Sequence, residues 1–423
     1  MTANNYLFPR KIIELILIIL PISLLFSNIV SELIILILII CYFKYSKFKE
    51  LLNNIKEPII LLLIFFWLYL ILNFLINFNN NPSFDRTIFF LRFPLLILSI
   101  SFFINYLNIN VKKIFSWWAI IIIIVCIDLI FQFFNQVNLI GYKSIPQGAI
   151  YRLGGFMDDE LKISNLVYHF GTLVFSFFFS INFLKNNRNN FVSLLFLLLI
   201  NVSIFITGER ANFITISFFT LLLLLFISFK NLKFFFTIFS FILVIFASIY
   251  LSNSNISQRM INKLYIKTVK IFTTDTNKNF LYKNSHHFAH YSTAYQIFKD
   301  NKFFGVGLKN FRDFCDNEKF NAEIHPKWHK KKCAMHPHSY YFEILSETGL
   351  IGLLILSIFF IFSFLSFLKL KNNYLIISSF ILLTYFIPLI PRGSFFTNWN
   401  AIIFWVIFGF VYSKYIELKK IRQ

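Results

Sequence analysis

Charge is scarce in this chain. Of 423 residues, 14% are Asp, Glu, Lys or Arg and only 19 are acidic, while 57% are hydrophobic and 61 are phenylalanine. So few charges cannot clothe a single water-soluble core of this size, which excludes a soluble globular fold. Also missing are a low-complexity linker, an internal repeat and any nucleic-acid-binding motif. The first two absences read as one integral membrane domain over 1–423. No small-residue cleavage site follows Ser27, so the N-terminal basic patch and its apolar run read as a retained first span. The net charge of +21, from 40 Lys and Arg against 19 Asp and Glu, does not point to nucleic acid. Many of the cations flank apolar runs, where they anchor against anionic lipid headgroups.

What the chain does have is apolar runs near the length that crosses a bilayer, about 17–25 residues. They recur at 11–27, 30–43, 58–76, 88–103, 117–134, 166–183, 191–206, 212–229, 234–251, 350–368, 374–389 and 399–411. The expectation is an all-α polytopic membrane protein of about twelve transmembrane helices, both termini on one side. Lys and Arg crowd alternate connections, including 44–56, 112–113, 230–233 and 414–422, which places that set and both termini in the cytoplasm. The other set then faces outward: 28–32, 77–85, 136–162, 207–210, a long loop over 252–348 between spans 9 and 10, and 391–398. The long loop is lysine-rich, but long translocated segments do not obey the charge rule. Its apolar helical stretches, IFKDNKFFGVGLKNF and SYYFEILSETG, predict a folded cap on the outer membrane surface.

Chemistry-bearing residues gather in those outward segments. Seven of the eight histidines fall within 252–348. Among them His338 directly precedes a short amphipathic helix ending at Thr348, with Gly349 and Gly352 opening the next span. A neutral imidazole there, with an ordinary pKa of about 6.5, can accept a proton. The turn ITGERANF puts Glu209 and Arg210 at the membrane boundary, where charges need a partner or a function; a local pair is the plain alternative. In YRLGGFMDDEL, Arg152 precedes Gly154 and Gly155 and three carboxylates, Asp158, Asp159 and Glu160, which either orient the arginine, accept a sugar hydroxyl, or form a solvated acidic loop. Gly305 and Gly307 in FFGVGLKNF end one helix and turn the backbone. Cys41 and Cys126 lie in apolar spans, whereas Cys315 and Cys333 share the outward loop. An oxidising compartment favours a disulfide between them, contributing roughly 3 kcal/mol in the chain-entropy model. A zinc set of Cys315, His325, His329 and Cys333 competes with it, although Pro326 breaks the helix the two histidines would share and no close C-x-x-C pair is present.

The TGER turn between two spans, the GVGLKNF loop and HPHSYYFEILSETGLIGLL together resemble the O-antigen ligase and O-antigen polymerase superfamily of bacterial membrane glycosyltransferases. The resemblance covers about 152–357, and its most specific element is the ten-residue gap between His338 and Gly349. It implies transfer of a glycan from undecaprenyl diphosphate to a sugar hydroxyl on the periplasmic face of the bacterial inner membrane, by an inverting displacement without metal or other cofactor. By that resemblance His338 is the general base and Arg210 binds the diphosphate. The family's second loop arginine falls at His287 here; His287, His290, Arg259 or Lys283 are the candidates to replace it, and Arg392 in the last outward turn is a further cation. The acceptor distinguishes two readings: lipid A core for a ligase, to which the pattern leans, or a second lipid-linked glycan for a polymerase. A non-enzymatic glycolipid flippase or exporter would share the topology, but a transporter places its polar groups near the midplane.

Overall fold

The computed structural model describes residues 7–147, 150–182, 187–229, 236, 260, 285–388 and 390–422. All but one residue of the expected span at 234–251, together with Arg259 and Lys283, lies outside the described residues. The described helices run α1 (Leu7–Phe26), α2 (Asn28–Tyr45), α3 (Phe48–Ile55), α4 (Pro58–Ile76), α5 (Phe84–Ile88), α6 (Arg92–Asn105), α7 (Val111–Asn135), α8 (Ile163–Asn182), α9 (Asn187–Ile206) and α10 (Arg210–Ser228). After the gap come α11 (His286–Asp300), α12 (Phe311–Phe314), α13 (Tyr340–Lys369), α14 (Asn373–Thr384) and α15 (Asn398–Arg422). A two-stranded antiparallel hairpin, β1 (Ile145–Gln147) and β2 (Ile150–Arg152), pairs Ile145 with Arg152.

Eight helical stretches among the described residues are long and apolar enough to cross a membrane, and two more, Asn190–Ile206 and Asn373–Thr384, are apolar but shorter. The chain is a multi-pass membrane protein, and the count reached on the described residues is eight where the apolar runs predict about twelve. Burial separates the inner helices from the outer ones. In α8 and α15, 78% of the apolar window is buried, against 33% in α2 and α13. Accordingly α15 is the axis: its residues from Ala401 to Val411 are all buried, and α6, α8 and α14 pack on it. The outer helices show the reverse pattern. On α4, Leu63, Phe66 and Leu70 are buried, whereas Leu61, Phe65, Leu68, Leu72 and Leu75 form an exposed apolar stripe. Such a stripe is unstable in water and suits lipid.

One backbone device positions the polar end of this bundle. Helix α13 breaks at Gly349, which has φ 67° and ψ −170°, a conformation open essentially only to glycine. A break leaves carbonyls on one side and N–H groups on the other without helical partners, and the 302–307 segment supplies them. Val306 N donates to Ser346 O at 2.9 Å and Gly307 N to Glu347 O at 2.9 Å, while Leu350 N donates to Lys302 O at 2.8 Å. Tyr69 of α4 donates its hydroxyl to the Thr348 carbonyl at 2.5 Å. Closeness makes the glycine obligatory, because a Cβ on Gly349 would sit 2.2 Å from the Phe303 carbonyl oxygen. A Cβ on Gly305, at φ 65°, would sit 2.6 Å from the Ser346 carbonyl oxygen, and Gly352 lies one turn further on beside Thr348 and Tyr69. The two glycine motifs thus interlock.

Beyond this join, α11 and the residues that follow it have a small core of their own, built from Ala289, Ala294, Ile297, Val306, Phe311, Phe320 and Ile324. Cys315, buried in this core, is joined in a disulfide to Cys333, which packs against it, with Cα atoms 5.3 Å apart.

Candidate functional site: a histidine cluster between partnered and unpartnered cations

Helix α11 begins at a Ser285 cap whose hydroxyl accepts from Phe288 N. Its first turn therefore carries His286, His287 and His290 on the face that meets the start of α13, against which α11 packs. His338 completes the cluster. Its ring centroid lies 5.2 Å from that of His287, 5.4 Å from His290 and 4.3 Å from His336. The His338 backbone is left-handed, φ 57°, and its carbonyl is pinned by Arg392 N at 2.9 Å and by the Tyr291 hydroxyl at 3.5 Å. His290 is buried, and its Nδ1 donates to the Lys332 carbonyl at 2.9 Å, which leaves the Nε2 lone pair for the cluster.

Burial governs the charge of these rings. It pushes His338 down to about 4, with His336 and His290 acting in the same direction, and it lowers His290 and His336 as well. All three are neutral at pH 7. A lowered pKa keeps the proton-accepting form to more acid pH, so any reaction needing neutral His338 retains its rate below 6.5 and loses it toward pH 4. The check is the acid limb of kcat/KM, which reports the free enzyme, measured with a chelator present. A limb at pH 6.5 would mean a solvated imidazole.

The cations of the outward segments divide by whether a carboxylate already holds them. Arg152 is paired with Glu209, bringing the 150–160 segment onto the turn before α10, and Leu153 N donates to Thr207 O across the same join. Asp158, Asp159 and Glu160 are exposed, and Glu160 pairs with Lys162 at 2.7 Å. Of the alternatives open for these residues, local pairing of Glu209 with Arg210 and orientation of Arg152 by the three carboxylates give way to this longer-range pair, and the solvated acidic loop is the one seen. Lys309 is likewise held, at 3.2 Å, by Glu343.

Arg210 and Arg392 differ. Neither has a carboxylate partner among the described residues. Arg210 opens α10, half-buried, directly after Glu209. Arg392 donates to Thr215 Oγ1 at 3.1 Å and to the Thr384 carbonyl, and its guanidinium lies 5.9 and 5.8 Å from the Tyr340 and Tyr385 rings. Through Thr215, five residues into α10, Arg392 ties that helix to His338; Arg210 stands about 7.5 Å further along the helix axis. A half-buried cation without a counter-ion is costly to keep, and an anionic ligand removes the cost.

Sequence reasoning missed the cluster that sets this geometry. The Glu343 carboxylate, 1% exposed, accepts from Lys309, from the Ser394 hydroxyl and, at 2.7 Å, from Phe395 N. It fastens the turn carrying Arg392 to the first turn of α13. A charge on the apolar side of SYYFEILSETG was the available signal. Of the two readings of Cys315 and Cys333 the disulfide is the one formed; the competing zinc set with His325 and His329 is not, both thiols being in the disulfide and His329 Nε2 bonding the Ile324 carbonyl at 2.9 Å.

Residues 194–357 match the family model described as O-Antigen ligase. Over that stretch the chain is similar to the O-antigen ligase family. The stretch carries Arg210, His287, His290 and His338, whereas Arg152 and Arg392 flank it. No curated protein matches the chain. The family match indicates a bacterial membrane enzyme of the O-antigen ligase/polymerase type, acting on lipid-linked glycans.

Proposed function

We propose that this O-antigen ligase-type protein moves a glycan from undecaprenyl diphosphate to a sugar hydroxyl of lipid A core, on the periplasmic face of the inner membrane. The observation that carries the reading is the pair of half-buried arginines without carboxylate partners among the described residues, Arg210 and Arg392, the second of them bonded through its backbone N–H to the carbonyl of His338, whose imidazole burial keeps neutral. The acceptor oxygen attacks the anomeric carbon, its proton passes to His338, and the bond to the diphosphate breaks, inverting the carbon. Arg210 holds the departing diphosphate by bidentate hydrogen bonds, and Arg392, from the last outward turn, adds the second positive charge that His287 does not supply at the family's loop-arginine position. The Arg152 and Glu209 pair positions the turn from which Arg210 projects. No metal takes part in the step.

The lipid tail has a place beside the site. An apolar groove of about 290 Å³, lined by Tyr341, Phe360, Phe364, Leu382 and Phe386, starts three residues after His338 and runs along α13 and α14. Orientation follows from the opposite end of the bundle, where Lys113, Lys414, Lys419 and Arg422 gather; by the positive-inside rule that end, with both termini, is cytoplasmic. The region 252–348 is then the periplasmic insertion of a single membrane domain.

The test uses purified protein in liposomes with an undecaprenyl-diphosphate-linked glycan, with and without lipid A core. Glycan appearing on the core is expected. Lengthening of the lipid-linked glycan regardless of core would replace the ligase by a polymerase. Movement of the intact lipid across the bilayer with no new glycosidic bond would replace both by a flippase.

A further inference from the structure

The histidine cluster has the geometry of a metal site. His287 and His290 stand one helical turn apart on α11, His338 faces them from the start of α13, and the three ligand nitrogens all lie within 4.8 Å of one another. Zinc binds imidazole nitrogen at about 2.0–2.1 Å, so a tetrahedral ion needs its ligand nitrogens about 3.4 Å apart. Each ring has to move inward by about an ångström or less, which side-chain rotation supplies. His290 is already oriented for this role, since its Nδ1–H is fixed on the Lys332 carbonyl at 2.9 Å, the outer contact that orients a metal-binding histidine and presents the other nitrogen. His338 is held at the backbone by Arg392 and Tyr291, so two of the three ligands are pre-positioned. His336 adjoins them, its Nε2 buried and without a hydrogen-bond partner among the described residues. It can supply a fourth ligand or leave that position to water. An all-imidazole set suits zinc and its late transition-metal neighbours, and does not suit magnesium or calcium, which take oxygen ligands.

We infer that His287, His290 and His338 form a zinc-class binding site, and that an ion bound there shuts off glycan transfer. The second half rests on the transferase reading above; the first does not. A neutral imidazole has one lone pair. Once that of His338 is on the metal, nothing remains to take the proton of the acceptor hydroxyl. The ion therefore acts as a reversible stopper on the base, and the step itself stays metal-free.

The experiment is a titration of the full-length, chelator-stripped protein in detergent with zinc chloride, against a competing fluorescent zinc chelator. One zinc per chain is expected, with affinity falling at least tenfold in His287→Asn and in His290→Ala and unchanged in His325→Ala, whose side chain lies outside the cluster. His287→Asn keeps polarity and approximate size at a half-buried position, so its result stands even if His290→Ala misfolds. Transfer by the wild type should stop on zinc addition and return with EDTA. In His287→Asn the half-inhibiting zinc concentration, referred to that variant's own zinc-free rate, should rise at least tenfold. No bound zinc, or binding indifferent to both cluster variants, overturns the site. Zinc held by the cluster while transfer continues or accelerates overturns the stopper. Zinc held by the cluster in a protein that transfers nothing, with or without EDTA, supports the site and sinks the transferase reading instead.

Discussion

His338→Ala should cut glycan transfer by about 10²–10⁴-fold, the usual worth of a positioned general base, while leaving the protein folded. The bonds that pin this residue, from Arg392 N and the Tyr291 hydroxyl, end on its carbonyl oxygen and survive a side-chain change. Alanine is less at ease than histidine with φ 57°, so His338→Asn is the better companion, because asparagine tolerates the left-handed region. The asparagine variant should show the wild-type thermal transition, the alanine variant a slightly lower one, and both should lose transfer equally. Activity within tenfold of wild type in the asparagine variant would remove His338 from the reaction.

Arg210→Ala is the second large effect, and its signature lies in kcat. Removing a donor aimed at developing charge costs about 10²–10³-fold in kcat, and the diphosphate gains charge only as the glycosidic bond breaks. Arg210→Lys should recover only a fraction, since an ammonium cannot make two parallel hydrogen bonds to one phosphate. The fold has little stake in this side chain, which pairs with no carboxylate among the described residues, so stability should be nearly unchanged. A rise in KM with kcat intact would show that Arg210 merely holds the ground state and leave Arg392 to meet the leaving group.

What could be read in the sequence was what is local along it. The run from His338 through Thr348 to Gly349 declares a short helix and a break, and the structure breaks α13 at that glycine. The apolar runs declare a membrane bundle, but not that α15 is its axis, because lipid and a protein interior ask for the same residues. The cations were harder. TGER announces charges at a boundary, yet whether Glu209 neutralises Arg210 or Arg152 depends on how the 150–160 segment folds back, and no spacing encodes that. The three carboxylates after Gly155 drew attention by their number and turn out to be solvated. Glu343, one of the two acids of α13, drew none and holds the turn of Arg392 in place. Burial, which lowers the pKa of His290, His336 and His338, is likewise a property of the packed cluster and of no one stretch of chain.

The join at Gly349 has a consequence for how such a chain can change over time. Its contacts with 302–307 are mostly main chain to main chain, and peptide groups bond alike whatever side chains they carry. Substitutions there are cheap so long as the close-approaching glycines stay. A single inserted or deleted residue between Lys302 and Gly307 would instead shift every donor off its acceptor at once. Drift in letters is tolerated; drift in length is not.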